Sequence, residues 1–195
     1  MGRYESKNSY LITLAKFVFF LIFFCFMVKL TGNLLNDMRL IATLDLKIFY
    51  ISIFSAFTFY LFIADLNTIY DHIQNFFFRH SFVNIILPSI LVLLALGYFI
   101  VPKIWSLSFN KDTFVFLGGF ILMVHLIYIA QQTRESSFVG FVNYLFMFST
   151  LYVVSVLLFA IYLRVAFPLD IGDLIVDSFN DSTRLVQDLY KQIVH

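Results

Sequence analysis

Four histidines, one cysteine and twelve acidic residues are the side chains of this chain best suited to metal ligation or to acid–base chemistry near neutral pH. His125 is the first candidate, because it stands inside the uncharged run Thr113–Thr133. An ionisable group within a bilayer is costly unless it stays neutral or is paired, and such residues mark functional sites more often than not. A haem would need a second axial histidine at matching depth, and no other apolar run holds one. A proton relay would need an embedded carboxylate, and Asp65 stands at the end of a run. The reading left is a neutral imidazole hydrogen-bonded to Asn143, Ser149 or Thr150 of the following run, joining two helices. His72 and His80 point about 80° apart on a helix, and no cysteine or glutamate joins them, so they read as solvated loop residues.

The elements that must position His125 are apolar and long. Between charges the chain contains Phe17–Val28, Ile48–Ala64, Ser81–Pro102, Thr113–Thr133 and Ser136–Leu163. A bilayer core needs about 20 mostly apolar residues as helix. The first run reaches a spannable length if Lys16 and Lys29 extend their stems to an interface, and the second, between Lys47 and Asp65, is short but would measure about 25 Å as helix. Composition agrees: 61% of the 195 residues are hydrophobic and 13% charged, so there is no room for a second globular unit. The expected fold is an all-α polytopic helical bundle of about five spans, four being the alternative. Residues 1–165 form the transmembrane domain and 166–195 a cytoplasmic amphipathic helix. Without a small-residue cleavage site after the first run, that run is expected to remain in place.

Lysine and arginine orient the spans. Lys29, Arg39, Lys47, Lys103, Lys111, Arg164, Arg184 and Lys191 fall on one side. Arg3, Lys7, Lys16, Arg79 and Arg134 fall on the other. The excess places the C-terminus in the cytoplasm. Tyr10, Phe49, Tyr50, Trp105 and Tyr162, at span ends, are candidate interfacial anchors. Gly118-Gly119, Gly140 and the polar residues Asn143, Ser149, Thr150 and Ser155 predict close approach of the fourth and fifth spans. Pro88 predicts a kink or a helix start in the third. Between the second and third spans, Ile69, Ile73, Phe76 and Phe77 recur at helical spacing, which predicts an amphipathic turn at the membrane surface.

After Pro168, Asp170, Asp173, Asp177, Asp181 and Asp188 fall within an arc of about 80°. Ile171, Ile175, Phe179, Val186, Leu189 and Ile193 form an apolar stripe on the opposite face. Arg184 and Lys191 interleave with the acids at pairing distance. Asn180-Asp181-Ser182-Thr183 contains capping residue types and predicts a break into two shorter helices. Such a helix needs a partner for its stripe, and its acidic face is unsuited to an anionic membrane surface. Copies of the chain or a cytosolic protein are the expected cover.

A net charge of +1 gives no nucleic-acid footprint. A lone Cys25 allows neither an intrachain disulfide nor a thiolate metal cage. No hydrolase elbow, zinc motif, phosphate loop or pair of mid-span aspartates is present. The expectation is a non-catalytic inner-membrane subunit without metal or cofactor. It would sit in the lipid bilayer, self-associate and hold or regulate a cytosolic protein through its tail. A small oligomeric pore is one alternative, and a carrier or intramembrane enzyme using His125 another. In size, multi-span body and short amphipathic C-terminal helix, the chain resembles the membrane subunit of the Kiwa antiphage defence system. The resemblance implies a membrane sensor working beside a soluble effector, and it carries no individual residue's role.

Overall fold

The computed structural model describes residues 2–62, 66–77, 81–105, 110–133 and 138–194. The described residues form helices without strands: α1 (Gly2–Leu40), α2 (Leu46–Phe62), α3 (Leu66–Phe77), α4 (Ser81–Ile86), α5 (Ser89–Trp105), α6 (Lys111–Gln132), α7 (Phe138–Arg164) and α8 (Ile171–Val194). The all-α architecture agrees with the sequence reading. Three of these helices, over Tyr10–Leu40, Lys111–Gln132 and Gly140–Arg164, are long and apolar enough to cross a membrane. Two more apolar helices, Leu46–Phe62 and Ser89–Ile104, are shorter.

Helix starts at one end of the bundle share one device. Asp45 Oδ1 accepts from the Lys47 amide at 2.9 Å, Asn110 Oδ1 from the Asp112 amide at 2.9 Å, and Asp170 Oδ1 from the Gly172 amide at 2.8 Å. Each supplies an acceptor to amides that lack a partner in the first helical turn. The far ends of α1, α5 and α7 lie at this same end, where Tyr98 of α5 packs on Phe114 of α6.

Cross-helix contacts fix the directions. Lys16 Nζ donates to Asn143 Oδ1 at 2.7 Å, Phe23 meets Phe146, and Thr31 Oγ1 lies 3.0 Å from Tyr152 Oη, so α1 and α7 run parallel. Helix α6 runs against α7: the Phe114 and Tyr162 rings stack at 4.0 Å, and the Tyr162 hydroxyl donates to the Phe114 carbonyl at 2.7 Å. Helix α2 lies along α6, with Phe59 edge-on to Phe120, and its Phe49 stacks on Phe159 of α7. The main core joins Leu30, Leu34 and Met38 of α1 to Phe159 and Leu163 of α7, with Phe167 and Leu174 beyond.

Several expectations change here. Phe49 and Tyr162 are buried core residues rather than interfacial anchors, because both rings stack inside the bundle. The Trp105 side chain lies outside the described residues. The glycine pair serves two neighbours at once. A methyl group at Gly118 would strike the Tyr162 ring of α7, and one at Gly119 would strike Ser52 and Phe49 of α2. Close approach therefore extends to α2 as well as α7. The third run is interrupted at Leu87-Pro88, with α5 starting directly after the proline. Helix α8 is continuous through Asn180–Thr183. The Ser182 and Thr183 hydroxyls bond back to the Phe179 carbonyl instead of capping a new helix.

Candidate functional site: a buried polar network and the α1–α8 sector

The break at Pro88 leaves two backbone groups without helical partners, the Leu87 carbonyl and the Ser89 amide. Gln74 of α3 answers both. Its Oε1 accepts from the Ser89 amide at 3.2 Å, and its Nε2 donates to the Leu87 carbonyl at 3.1 Å. Since Ser89 N–H can only donate and a carbonyl can only accept, the amide's orientation is set. Gln74 Nε2 also donates to the Tyr70 hydroxyl oxygen at 2.9 Å. Burial pushes the Tyr70 phenol well above its ordinary pKa, so it stays protonated. Its proton is then directed to His125 Nδ1, 2.9 Å away. With the Tyr70 hydroxyl donating, the imidazole carries its own proton on Nε2, an atom with no protein partner among the described residues.

A second branch runs alongside. The Tyr128 hydroxyl donates to Asp71 Oδ1 at 2.9 Å, Asn75 Nδ2 donates to Asp71 Oδ2 at 2.9 Å, and Asn84 donates to Asn75. Tyr70 and Tyr128 pack with their centroids 5.3 Å apart, closing the two branches against Ala56 and Val124. The whole unit ties α3, α4, α5 and α6 together.

His125 is fully buried, as an interhelical link should be. Its partner is nevertheless Tyr70 of α3, not Asn143, Ser149 or Thr150. Asn143 is engaged by Lys16, and Ser149 and Thr150 bond back to the Phe146 carbonyl. The sequence reading took the α3 segment as a surface turn. The structure turns its Tyr70 and Gln74 inward while Ile69, Phe76 and Phe77 face out. The legible signal for this inward face was the pair Tyr70 and Gln74 at i,i+4, ahead of a proline that had to leave backbone groups unpaired. His72 is exposed. Asp65, Arg79 and His80 lie outside the described residues. Among the described residues no group of three or more potential ligands gathers for a metal.

The tail is docked on the helical body. After the turn at Val165–Asp170, α8 runs antiparallel along α1. Asn33 Nδ2 donates to Ser178 Oγ and to Asp181 Oδ2, each at 3.3 Å. Further along, Phe179, Ser182, Thr183 and Val186 of α8 join Ile22, Phe23 and Phe26 of α1 around an apolar groove of about 390 Å³. Phe23 touches Phe146 of α7, so this stretch of α8 lies level with the middle of the apolar run of α7.

The face that α8 presents to α1 is Leu174, Ser178 and Ser182, all buried. The expected stripe is rotated away from that contact by about 60–80° at about 100° per residue. Ile175, Phe179, Val186 and Leu189 remain exposed, Phe179 to 62%, and Ile171 is half-buried. The Ile193 side chain lies outside the described residues. On the other side of the contact stands the charged ridge. Arg184 pairs with Asp181 at 3.8 Å and Lys191 with Asp188 at 3.9 Å, bearing out the predicted spacing. At the start of α8, Asp170, Asp173 and Asp177 open with Asp37 onto a cavity of about 640 Å³ at the α7–α8 turn.

The return of α8 alters the orientation argument. Lys191 now lies toward the Lys16 end of the bundle and Arg184 at mid-level, which takes two positive charges from the count at the other end. No family model matches the chain, no characterised protein matches it in sequence, and no solved structure matches it.

Proposed function

We infer that the chain is a non-catalytic integral membrane subunit that self-associates through its α1–α8 sector and holds a cytosolic protein at its α7–α8 turn. The observation that carries this reading is the position of α8. A helix with alternating charges lies beside apolar helices, where each charge facing lipid would cost about 3 kcal/mol near the bilayer centre. Its outer surface therefore calls for protein cover. The exposed stripe Ile175, Phe179, Val186 and Leu189 sits beside Phe23 and Phe26, which suits lipid or another copy. The acidic opening at Asp37, Asp170, Asp173 and Asp177 is what a soluble partner can reach. The buried network supports a structural role for His125, since both branches join helices. The resemblance to the Kiwa membrane subunit would make that partner a soluble effector and the setting defence against phage.

The test is purification of the tagged chain from its own cells in mild detergent. A soluble protein encoded beside it should co-purify, and deletion of Asp170–His195 should release it. Retention of the partner by the truncated chain overturns the assignment to the tail. A second reading draws on the same charges. Ranged around an axis, they would line a wet passage, and steady single-channel conductance in planar bilayers would favour an oligomeric pore.

A further inference from the structure

Charge order along α8 changes with level. Asp170, Asp173 and Asp177 all lie at the turn end, where they share the cavity with Asp37. Farther along, beside α1's apolar stretch, the order becomes Asp181, Arg184, Asp188, Lys191, alternating in sign and summing to zero. Three side chains there stay open, Arg184 at 78%, Lys191 at 70% and Asp188 at 69% exposed, while Asp181, at 36%, stands at the edge of the contact with α1 and also accepts from Asn33. The ion pairs within the helix are loose, at 3.8 and 3.9 Å. They leave one oxygen of Asp188 and most donors of Arg184 and Lys191 free for a neighbour.

We propose that this ridge is the contact between copies of the chain, Asp181 and Asp188 of one α8 pairing with Arg184 and Lys191 of the next. The proposal rests on the self-association reading above and specifies its surface. A second copy is the occupant because the ridge is complementary to itself. With copies sharing one orientation in the membrane, their α8 helices run parallel around a common axis. Opposite charges three or four residues apart then meet across adjacent helices. Each acid in the 181–191 segment has a base one turn away on its neighbour, and none is left over. The unbalanced acids stay at the turn end, where water solvates them.

The experiment uses the full-length chain with two different tags, co-expressed and captured in mild detergent. One form is acidic, carrying Arg184→Asp and Lys191→Asp. The other is basic, carrying Asp181→Lys and Asp188→Lys. Wild type should capture wild type. Each charge variant should capture itself about tenfold less or worse, while the acidic and basic forms should capture each other at the wild-type level. Recovery in the mixed pair shows that both variants fold, and helicity by circular dichroism checks each alone. Undiminished self-capture of both variants overturns the ridge as the contact while leaving self-association standing. Failure of the mixed pair, with helicity intact, does the same. A wild type that captures no wild type overturns both the ridge and the reading beneath it.

Discussion

Gln74 does the work that a backbone turn would otherwise do at Pro88. Replacing it by Leu strands the Leu87 carbonyl and the Ser89 amide together, at about 1–3 kcal/mol for each buried group left unpaired. Replacing His125 by Phe strands only the Tyr70 hydroxyl. Thermal melts in detergent should therefore rank Gln74→Leu below His125→Phe. Self-capture and partner capture should survive His125→Phe; their loss from a folded variant would return His125 to the list of functional residues. Gly118 and Gly119 make a second residue-scale case. Alanine at either position meets a ring already stacked on another, so each should lower stability by about 1–3 kcal/mol, measurable in the same melts. The sequence showed that His125 was buried and needed a partner. It did not show which, because the answer came from a helix break that frees backbone groups on a third element.

At the scale of elements, the apolar runs were plain to read, since lipid-compatible helices need length and few charges. Helix α1 was underestimated: its apolar centre is flanked by polar turns that continue the same helix from Gly2 to Leu40. Helix α8 was read correctly as amphipathic, but its contact face was not. Hydrophobicity marks the widest apolar arc, whereas close packing on α1 selects the small residues Ser178 and Ser182 at one edge of that arc. Ser178 is fully buried and its hydroxyl bonds back to the Leu174 carbonyl at 2.6 Å. Ser178→Leu should lift α8 from α1, making residues 171–194 the first site of limited proteolysis. Phe179→Ser, on the exposed stripe, should leave the digestion pattern unchanged. Equal protection of the two variants would show that Ser178 does not seat the helix.

For the molecule as a whole, the direction of each helix matters more than its length. Helices α1 and α7 run one way, α2 and α6 the other, and α8 retraces α1 over roughly 36 Å at about 1.5 Å per residue. Short-range fluorophores placed at Phe17 and Tyr190 should therefore transfer more energy, within one chain diluted among unlabelled copies, than a pair at Leu40 and Tyr190. The reverse order would mean that α8 swings free of the bundle. This doubling back has a consequence for anyone mapping the protein with enzyme fusions. If α8 keeps this place beside α1 in a bilayer, reporters on the two termini would light up in one compartment, and a parity argument would then infer an even number of crossings from a chain whose last strut is not a conventional span at all.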